Sequence, residues 1–302
     1  MNLPKITVIT PSFNQGQYLE ETLFSIISQR YPNLELIVID GGSTDNSVEV
    51  IKKFADQITF WVSEKDSGQT NAINKGLAKA TGDIVAILNS DDTYLPGALD
   101  FVGEQFAADP SLKWMTAPSL YFGPSRGEQK TEVMIPEVPD SPGRWLVRQT
   151  VAHPSTFLRK ELHDKYGPFD ESFYFGMDYE YWCRLAFGGE KCRTFGRPLS
   201  GYRMHGDSKS VSAVERKTAD MARILEMYGA KLSPLERAKI ERQHQRQNAS
   251  NELYQAVWLL IDGNRPGAMQ KWMNAVKRHP DVRFTKAYWT TGLRILLNKP
   301  PK

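Results

Sequence analysis

Two adjacent carboxylates, Asp91 and Asp92, stand in the stretch LNSDDTYL at residues 88–95, directly after the apolar run Ile84-Val85-Ala86-Ile87-Leu88. Like charges at this range raise each other's pKa and resist desolvation. Two arrangements relieve the repulsion. In one, the pair sits in a solvated turn ahead of a helix starting near Pro96, where an Asp is favourable at the N-terminus. In the other, a hard divalent cation, Mg²⁺ or Mn²⁺, is shared with water and phosphate oxygens. A single Asp fits the turn well; a pair at a strand end, preceded by Leu-Asn-Ser, points to the cation. A diphosphate leaving group needs such charge neutralisation.

The elements that must position this pair alternate in type. KITVIT (5–10), LELIVID (34–40), ITFWVS (58–63) and DIVAIL (83–88) read as strands. Between them lie helical patterns: GQYLEETLFSIISQRY, with Leu19, Leu23, Ile26 and Ile27 on one face, a segment near 46–55, and SGQTNAINKGLAKATG. Alternation of this kind predicts a parallel α/β sheet with right-handed crossovers. Such sheets bind ligands at the carboxyl ends of their strands. Here those ends carry Thr10-Pro11-Ser12, Asp40-Gly41-Gly42, Glu64-Lys65-Asp66 and Asn89-Ser90-Asp91-Asp92, so acidic groups from three segments gather at one edge. Residues 110–205 are less regular and rich in aromatics and prolines. After GYRMHGDSKS (201–210) the pattern becomes helical, about 212–262 and 266–297, broken by Asp262-Gly263-Asn264-Arg265-Pro266.

The 302 residues are 40% hydrophobic and 24% charged, enough for a substantial core, and a net charge of +3 does not describe a nucleic-acid binder. The charge is uneven: from Arg265 onward nine Lys and Arg accompany the single acid Asp281. A basic tail favours an anionic surface, lipid headgroups or nucleic acid. Cys183 and Cys192 lack metal-site spacing and form no disulfide framework, which predicts a reducing compartment. No apolar leader precedes the first strand, and no stretch approaches the roughly 20 apolar residues of a membrane span. The expectation is a soluble cytoplasmic protein, peripheral at the inner face of a membrane.

ITVITPSFNQGQYLEETLFSIISQRYPNLELIVIDGGSTDNS, EKDSGQTNAINKG, ILNSDD, GPFDESFYFGMDYEYWCRL and YRMHGDSKS together resemble the family 2 inverting glycosyltransferases of the GT-A fold. The resemblance covers about residues 4–210 and leaves the helical C-terminal third outside. It implies a Rossmann-like, mostly parallel sheet flanked by helices, with a catalytic domain at 1–210 and a helical extension at 211–302. Within the catalytic domain, residues 1–109 would bind the nucleotide sugar and 110–210 the acceptor.

The resemblance also assigns roles. Pro11 and Ser12 match the floor of the base pocket, and Asp40 and Asp66 the acids that hold nucleobase and ribose; taken alone, Asp40 equally fits an Asp-Gly turn. Asn89, Asp91 and Asp92 match the Asp-x-Asp region, with Asp92 the expected ligand of Mn²⁺ or Mg²⁺ and Asn89 a departure from the usual Asp. His205 matches a histidine that completes the metal or diphosphate site in some members. Asp178 matches the general base, with Met177 replacing the acid that usually precedes it; a helix cap is a compatible reading of Asp178. Glu180 would diverge from Asp178 by about 200° around a helix and cannot serve the same proton. Arg203 and Lys209 are weaker candidates to face the diphosphate, and His153, Trp145 and Trp182 to line the acceptor pocket, although any one Trp more often packs in a core.

The tail FTKAYWTTGLRILLNKPPK reads either as a helix docked on the catalytic domain or as an interfacial membrane helix that would bring the enzyme to a lipid-linked acceptor. The resulting expectation is a metal-dependent inverting transferase. It would move a sugar from a nucleotide-diphosphate donor to a glycan or lipid-linked acceptor in bacterial-type cell-surface polysaccharide synthesis. A nucleotidyltransferase is the first rival, disfavoured because TPSFNQGQ has one Gly and no base. A non-catalytic nucleotide-sugar-binding protein is the second.

Overall fold

The computed structural model describes residues 2–125, 128–147, 149–205, 214–261 and 263–299. The chain divides into two compact units, Met1–Pro142 with Gln149–Ile224, and Gly143–Arg148 with Leu225–Lys302.

In the first unit the strands are β1 (Ile6–Ser12), β2 (Leu34–Asp40), β3 (Phe60–Ser63), β4 (Ile84–Ile87), β5 (Thr93–Tyr94), β6 (Trp114–Thr116), β7 (Ser119–Ser125), β8 (Glu128–Met134), β9 (Thr156–Arg159), β10 (Cys192–Thr194) and β11 (Ser200–Arg203). Seven of them form one sheet in the order β10-β6-β9-β4-β1-β2-β3. Strands β1 to β4 run parallel, joined by α1 (Gly16–Ile27), α2 (Ser47–Lys53) and α3 (Gln69–Lys79). All seven residues of β1 are buried, as expected of a central strand covered on both faces. On one face Val8, Val38 and Ala86 pack with Leu19 and Leu23 of α1 and with Val102 and Phe106 of α4 (Ala98–Ala108). On the other, α3 comes so close that a Cβ on Gly76 would lie 2.5 Å from Ile9 Cγ2. One strand breaks the parallel order: β9 is antiparallel to both of its neighbours, β4 and β6.

A four-stranded sheet, β5-β11-β7-β8, holds the site together. Strand β5 begins one residue after Asp92, and β11 pairs with it antiparallel, Gly201 opposite Thr93. That register carries Arg203 and His205 back to the acidic pair. The hydroxyls of Ser119, Ser155 and Ser200 close a buried triangle of 2.7–2.9 Å that ties β7 and β11 to the turn ahead of β9. The unit also contains α6 (Lys160–Tyr166) and α7 (Met177–Phe187); the short turn α5 (Pro142–Trp145) falls at the boundary, with Gly143–Trp145 in the second unit.

At the amino edge of the sheet a buried carboxylate is fully satisfied. Glu35 accepts from Lys5 Nζ (2.7 Å), Thr7 Oγ1 (2.6 Å), Thr81 N (2.7 Å) and Thr81 Oγ1 (2.5 Å). Burial alone would raise its pKa, but these donors outweigh burial and hold it at about 2, below the ordinary 4.5. The stabilisation is therefore complete above pH 4.5 and is lost as pH falls toward 2. A shift of this size corresponds to up to about 3 kcal/mol. Urea titrations are expected to show Glu35→Gln flattening the acid limb of stability across that window and lowering stability at neutral pH.

The second unit is helical. The boundary at Ile224 falls inside α8 (Val214–Gly229), which is followed by α9 (Pro234–Ile261), α10 (Arg265–Arg278) and α11 (Lys286–Leu297). The two long helices expected from the sequence are thus each divided. Ser233 and Glu236 form a reciprocal capping box that starts α9: Ser233 N donates to Glu236 Oε2 (3.2 Å), and Glu236 N donates to Ser233 Oγ (3.4 Å). His279-Pro280 ends α10, since proline cannot donate the backbone hydrogen bond that a continuing helix needs. Two small cores form, one around Leu253, Ala275 and Tyr288 and one around Leu260, Ala268 and Ile295. Among the described residues no helix is long and apolar enough to cross a membrane.

Candidate active site

The acidic pair splits in two directions. Asp91 Oδ2 lies 2.9 Å from His205 Nε2, and the His205 ring packs 4.7 Å from that of Tyr18. Asp92 is 1% exposed and points inward. Its Oδ1 accepts from Arg203 N (3.0 Å) and its Oδ2 from the Asn89 amide (3.3 Å). Burial, with Asp91 beside it, pushes the Asp92 carboxyl well above the usual carboxylate range, against the pull of the Arg203 N–H and Asn89. Asn89 in turn accepts from Gln69 Nε2 at 2.7 Å. Helix α1 fixes the loop from below, Thr22 Oγ1 reaching both Ser90 O (2.9 Å) and Asp92 O (2.7 Å).

Arg203 braces the same loop. Its Nε donates to Asp91 O at 3.0 Å, Nη2 pairs with Glu21, and the guanidinium lies 5.0 Å from the Tyr18 ring and 4.6 Å from that of Phe122. Through these bonds Arg203 braces the loop that carries both acids. Lys209 lies outside the described residues.

At the ends of β1 and β2, Pro11 pairs with Ile39 and Ser12 with Asp40. Pro11 is buried, and the buried Ser12 Oγ has no hydrogen-bond partner among the described residues. Asp40 is saturated: it accepts from Ser43 Oγ (2.5 Å), Ser43 N (2.9 Å), Gly42 N (3.1 Å) and Ser63 Oγ (2.7 Å). The Asp-Gly turn reading of Asp40 thus describes its contacts. Asp66 takes one bond, from Gly68 N at 2.8 Å, and its Oδ2 lies over Gly41, where a Cβ would sit 2.7 Å away. A side chain at 41 would displace that carboxylate from its present position.

Asp178 occupies the first turn of α7. Its Oδ2 accepts from Gln149 Nε2 at 2.6 Å and lies 4.0 Å from His153 Nδ1, while Oδ1 accepts from Tyr179 N at 2.7 Å. Burial holds His153 below the usual histidine range despite the attraction of Asp178, so the imidazole is neutral near pH 7. Its buried Nε2 has no partner among the described residues. Glu180 is 2% exposed and pairs with Arg184, whose guanidinium also reaches Tyr166 O and Pro168 O.

Trp182 does not line a pocket. It is 1% exposed and stacks on Trp114 at 5.5 Å, and Trp145 is likewise buried. Trp182→Ala should cost about 3–5 kcal/mol in urea unfolding, with no selective rise in acceptor KM. Two residues of the site escaped the sequence reading. Gln149 belongs to no motif. Tyr121, stacked on Tyr202 at 4.7 Å, has its phenol pushed up to about 12 by burial, with Asp92 and Asp178 both adding to the shift. It stands within the field of both carboxylates. The signal available in SLYFG was only an aromatic on an alternating strand.

Acids at the carboxyl edge of parallel strands, with a further carboxylate in the first turn of α7, fit a glycosyltransferase. The model of the Glycosyl transferase family 2 matches residues 7–166, more than half of the chain, and the chain belongs to that family. An uncharacterized glycosyltransferase of Mycobacterium tuberculosis is 31% identical over 236 residues, covering 76% of this chain and 88% of its own. TuaG of Bacillus subtilis, named for teichuronic acid biosynthesis, is 36% identical over 112 residues, covering 35% of this chain and 44% of its own. Among solved structures, S. aureus TarS 1-349 in complex with UDP-GlcNAc superposes with a TM-score of 0.64 at 15% identity, over 98% of this chain and 89% of that one. The Pyrobaculum calidifontis mannosyltransferase PcManGT, in complex with GDP-Man and Mn²⁺, gives 0.60 at 18% identity, over 99% and 86%. These structural likenesses show the GT-A fold, and the protein is an enzyme of the glycosyltransferase class.

Proposed function

We propose that the enzyme is an inverting, divalent-metal-dependent transferase that moves a sugar from a nucleotide-diphosphate donor to a hydroxyl of a cell-surface glycan or its lipid-linked precursor. The observation that carries the reading is the pairing of two chemically distinct stations, Asp91 with His205 and Asp178 with Gln149 and His153, with Tyr121 in the field of both sides. TarS and PcManGT bind UDP-GlcNAc and GDP-Man, which supports a nucleotide-sugar donor here.

Among the described residues no cluster of three or more His, Cys, Asp or Glu could hold a metal. A carboxylate and an imidazole at 2.9 Å nevertheless fit Mn²⁺ or Mg²⁺, because such ions take few protein ligands and fill their shell with water and phosphate oxygens. The protein ligands would be Asp91 and His205, with Asp92 bracing the loop through Arg203 and Asn89. When bound, the ion would neutralise charge on the departing diphosphate.

Around it the chain's own groups do the rest. The orphaned Ser12 hydroxyl and Asp66 would receive the nucleoside, and Asp40 would hold the Gly41–Ser43 turn that shapes its pocket. Asp178 would take the proton of the acceptor hydroxyl as that oxygen attacks the anomeric carbon and the bond to the diphosphate breaks, inverting configuration. Gln149 aims the carboxylate and His153 keeps its approach dry. The free Cys183 and Cys192 fit a cytoplasmic working side.

A thermal-shift panel of nucleotide sugars with and without Mn²⁺ tests the donor site, followed by NMR of the product anomer from the one that binds. Stabilisation that depends on Mn²⁺, and an inverted product, are expected. Donor binding indifferent to EDTA would remove the metal from this scheme, and retention of configuration would remove Asp178 from its role as base.

A further inference from the structure

Helix α11 carries two apolar faces, and only one has a packing role in its unit. Tyr288, Thr291, Gly292 and Ile295 are buried. They dock through the Trp272 ring, stacked on Tyr288 at 4.8 Å, and through Arg265, which donates to Ile295 O and Leu296 O at 3.0 Å. Across the helix Trp289 (64% exposed), Leu293 (58%), Leu296 (57%) and Leu297 (56%) share an arc of about 100°, and Phe284 (77%) precedes them. A surface helix ordinarily turns polar groups to that side. Of the four cations here, Arg283 and Lys299 flank the helix in sequence, Lys286 lies on the same arc at the helix's N-terminal end, and Arg294 sits about 60° outside it. No Asp or Glu occurs from 282 to 299. Trp289 Nε1 donates to Arg283 O at 2.7 Å, so the indole's own polar atom is satisfied and its outward face is purely apolar.

We propose that this face of α11 is a docking surface for an anionic lipid bilayer, lying in the plane of the interface. The charge pattern selects the occupant. Cations at both ends and along one side of a patch of aliphatic and aromatic groups match anionic headgroups above acyl chains. A nucleic acid would satisfy the cations but leave four large apolar side chains wet. The helix is too short to span the apolar core, so the contact is interfacial. The inference is independent of the transfer reaction, since neither donor nor acceptor takes part in binding.

The test is co-sedimentation of the full chain with phosphatidylcholine–phosphatidylglycerol vesicles and with pure phosphatidylcholine. Binding to the anionic vesicles is expected, weakening as salt rises. Leu293→Ser with Leu296→Ser removes exposed side chains only, so its melting temperature should match the parent while partitioning falls about ten-fold or more. Lys286→Glu with Lys299→Glu should remove the preference for the anionic lipid. The proposal is overturned if the parent stays in the supernatant with both vesicle types, or if the serine variant partitions as the parent does. It is also overturned if the face instead drives self-association that the serine variant abolishes, which would assign it to a second copy of the chain.

Discussion

An Asp178→Asn enzyme is expected to bind its donor as the parent does and to lose about 10²–10⁴-fold in kcat, the range that a general base contributes. Asn keeps the size of Asp178 and one oxygen to accept from Gln149, so the fold survives; the N-cap of α7 is Gly176 and makes no side-chain cap bond. Only proton acceptance is lost. Gln149→Leu provides a graded companion, because the carboxylate remains but its 2.6 Å tether is gone. It should lower kcat by a smaller factor with donor affinity unchanged. Single-turnover assays beside donor titrations separate the two effects. Equal activity in Asp178→Asn and the parent would leave the proton to another group.

The second large effect separates Asp91 from Asp92. Asp91→Ala removes the carboxylate paired with His205, and Mn²⁺-dependent donor affinity should fall by more than about 100-fold, beyond the 10–100-fold expected of residues behind a metal's own ligands. Asp92→Asn should be far milder. The buried Asp92 is already held toward its protonated form, and Asn can still accept from the Arg203 N–H. Calorimetric titration of nucleoside diphosphate with and without Mn²⁺ reads both variants. Loss of metal dependence in Asp92→Asn but not in Asp91→Ala would exchange their roles and restore the ligand expected from sequence.

That exchange marks where the sequence stops being informative. Parallel strands were legible because β-branched runs alternate with helical periodicity, and LELIVID matches β2 residue for residue. The acids at the carboxyl edge were legible for the same reason. Which of two adjacent aspartates faces outward is decided by the pairing of β5 with β11, strands of two and four residues whose partners are about a hundred positions apart. Local pattern holds no record of that register. Trp182 shows the converse error: beside a candidate base, its ring belongs to the stack with Trp114. Arg203 was expected at the phosphates, and its bracing contacts with Glu21, Asp91 and Phe122, remote in sequence, were not legible. The divided helices were readable in principle, since Ser233-Pro234-Leu235-Glu236 is a capping box written in sequence.

The reversed strand β9 also sets the order in which the protein can be assembled. It fills the gap between β4 and β6 but is made after both, about 70 residues beyond the end of β4. At typical synthesis rates of 5–20 residues per second, β4 emerges from the ribosome roughly 4–14 s before its partner exists. During that interval the nascent sheet ends in an uncovered apolar edge of the kind that recruits foreign strands. A ribosome stalled before residue 156 should therefore hold a chain that engages chaperones, and release of that dependence should coincide with the emergence of Thr156–Arg159.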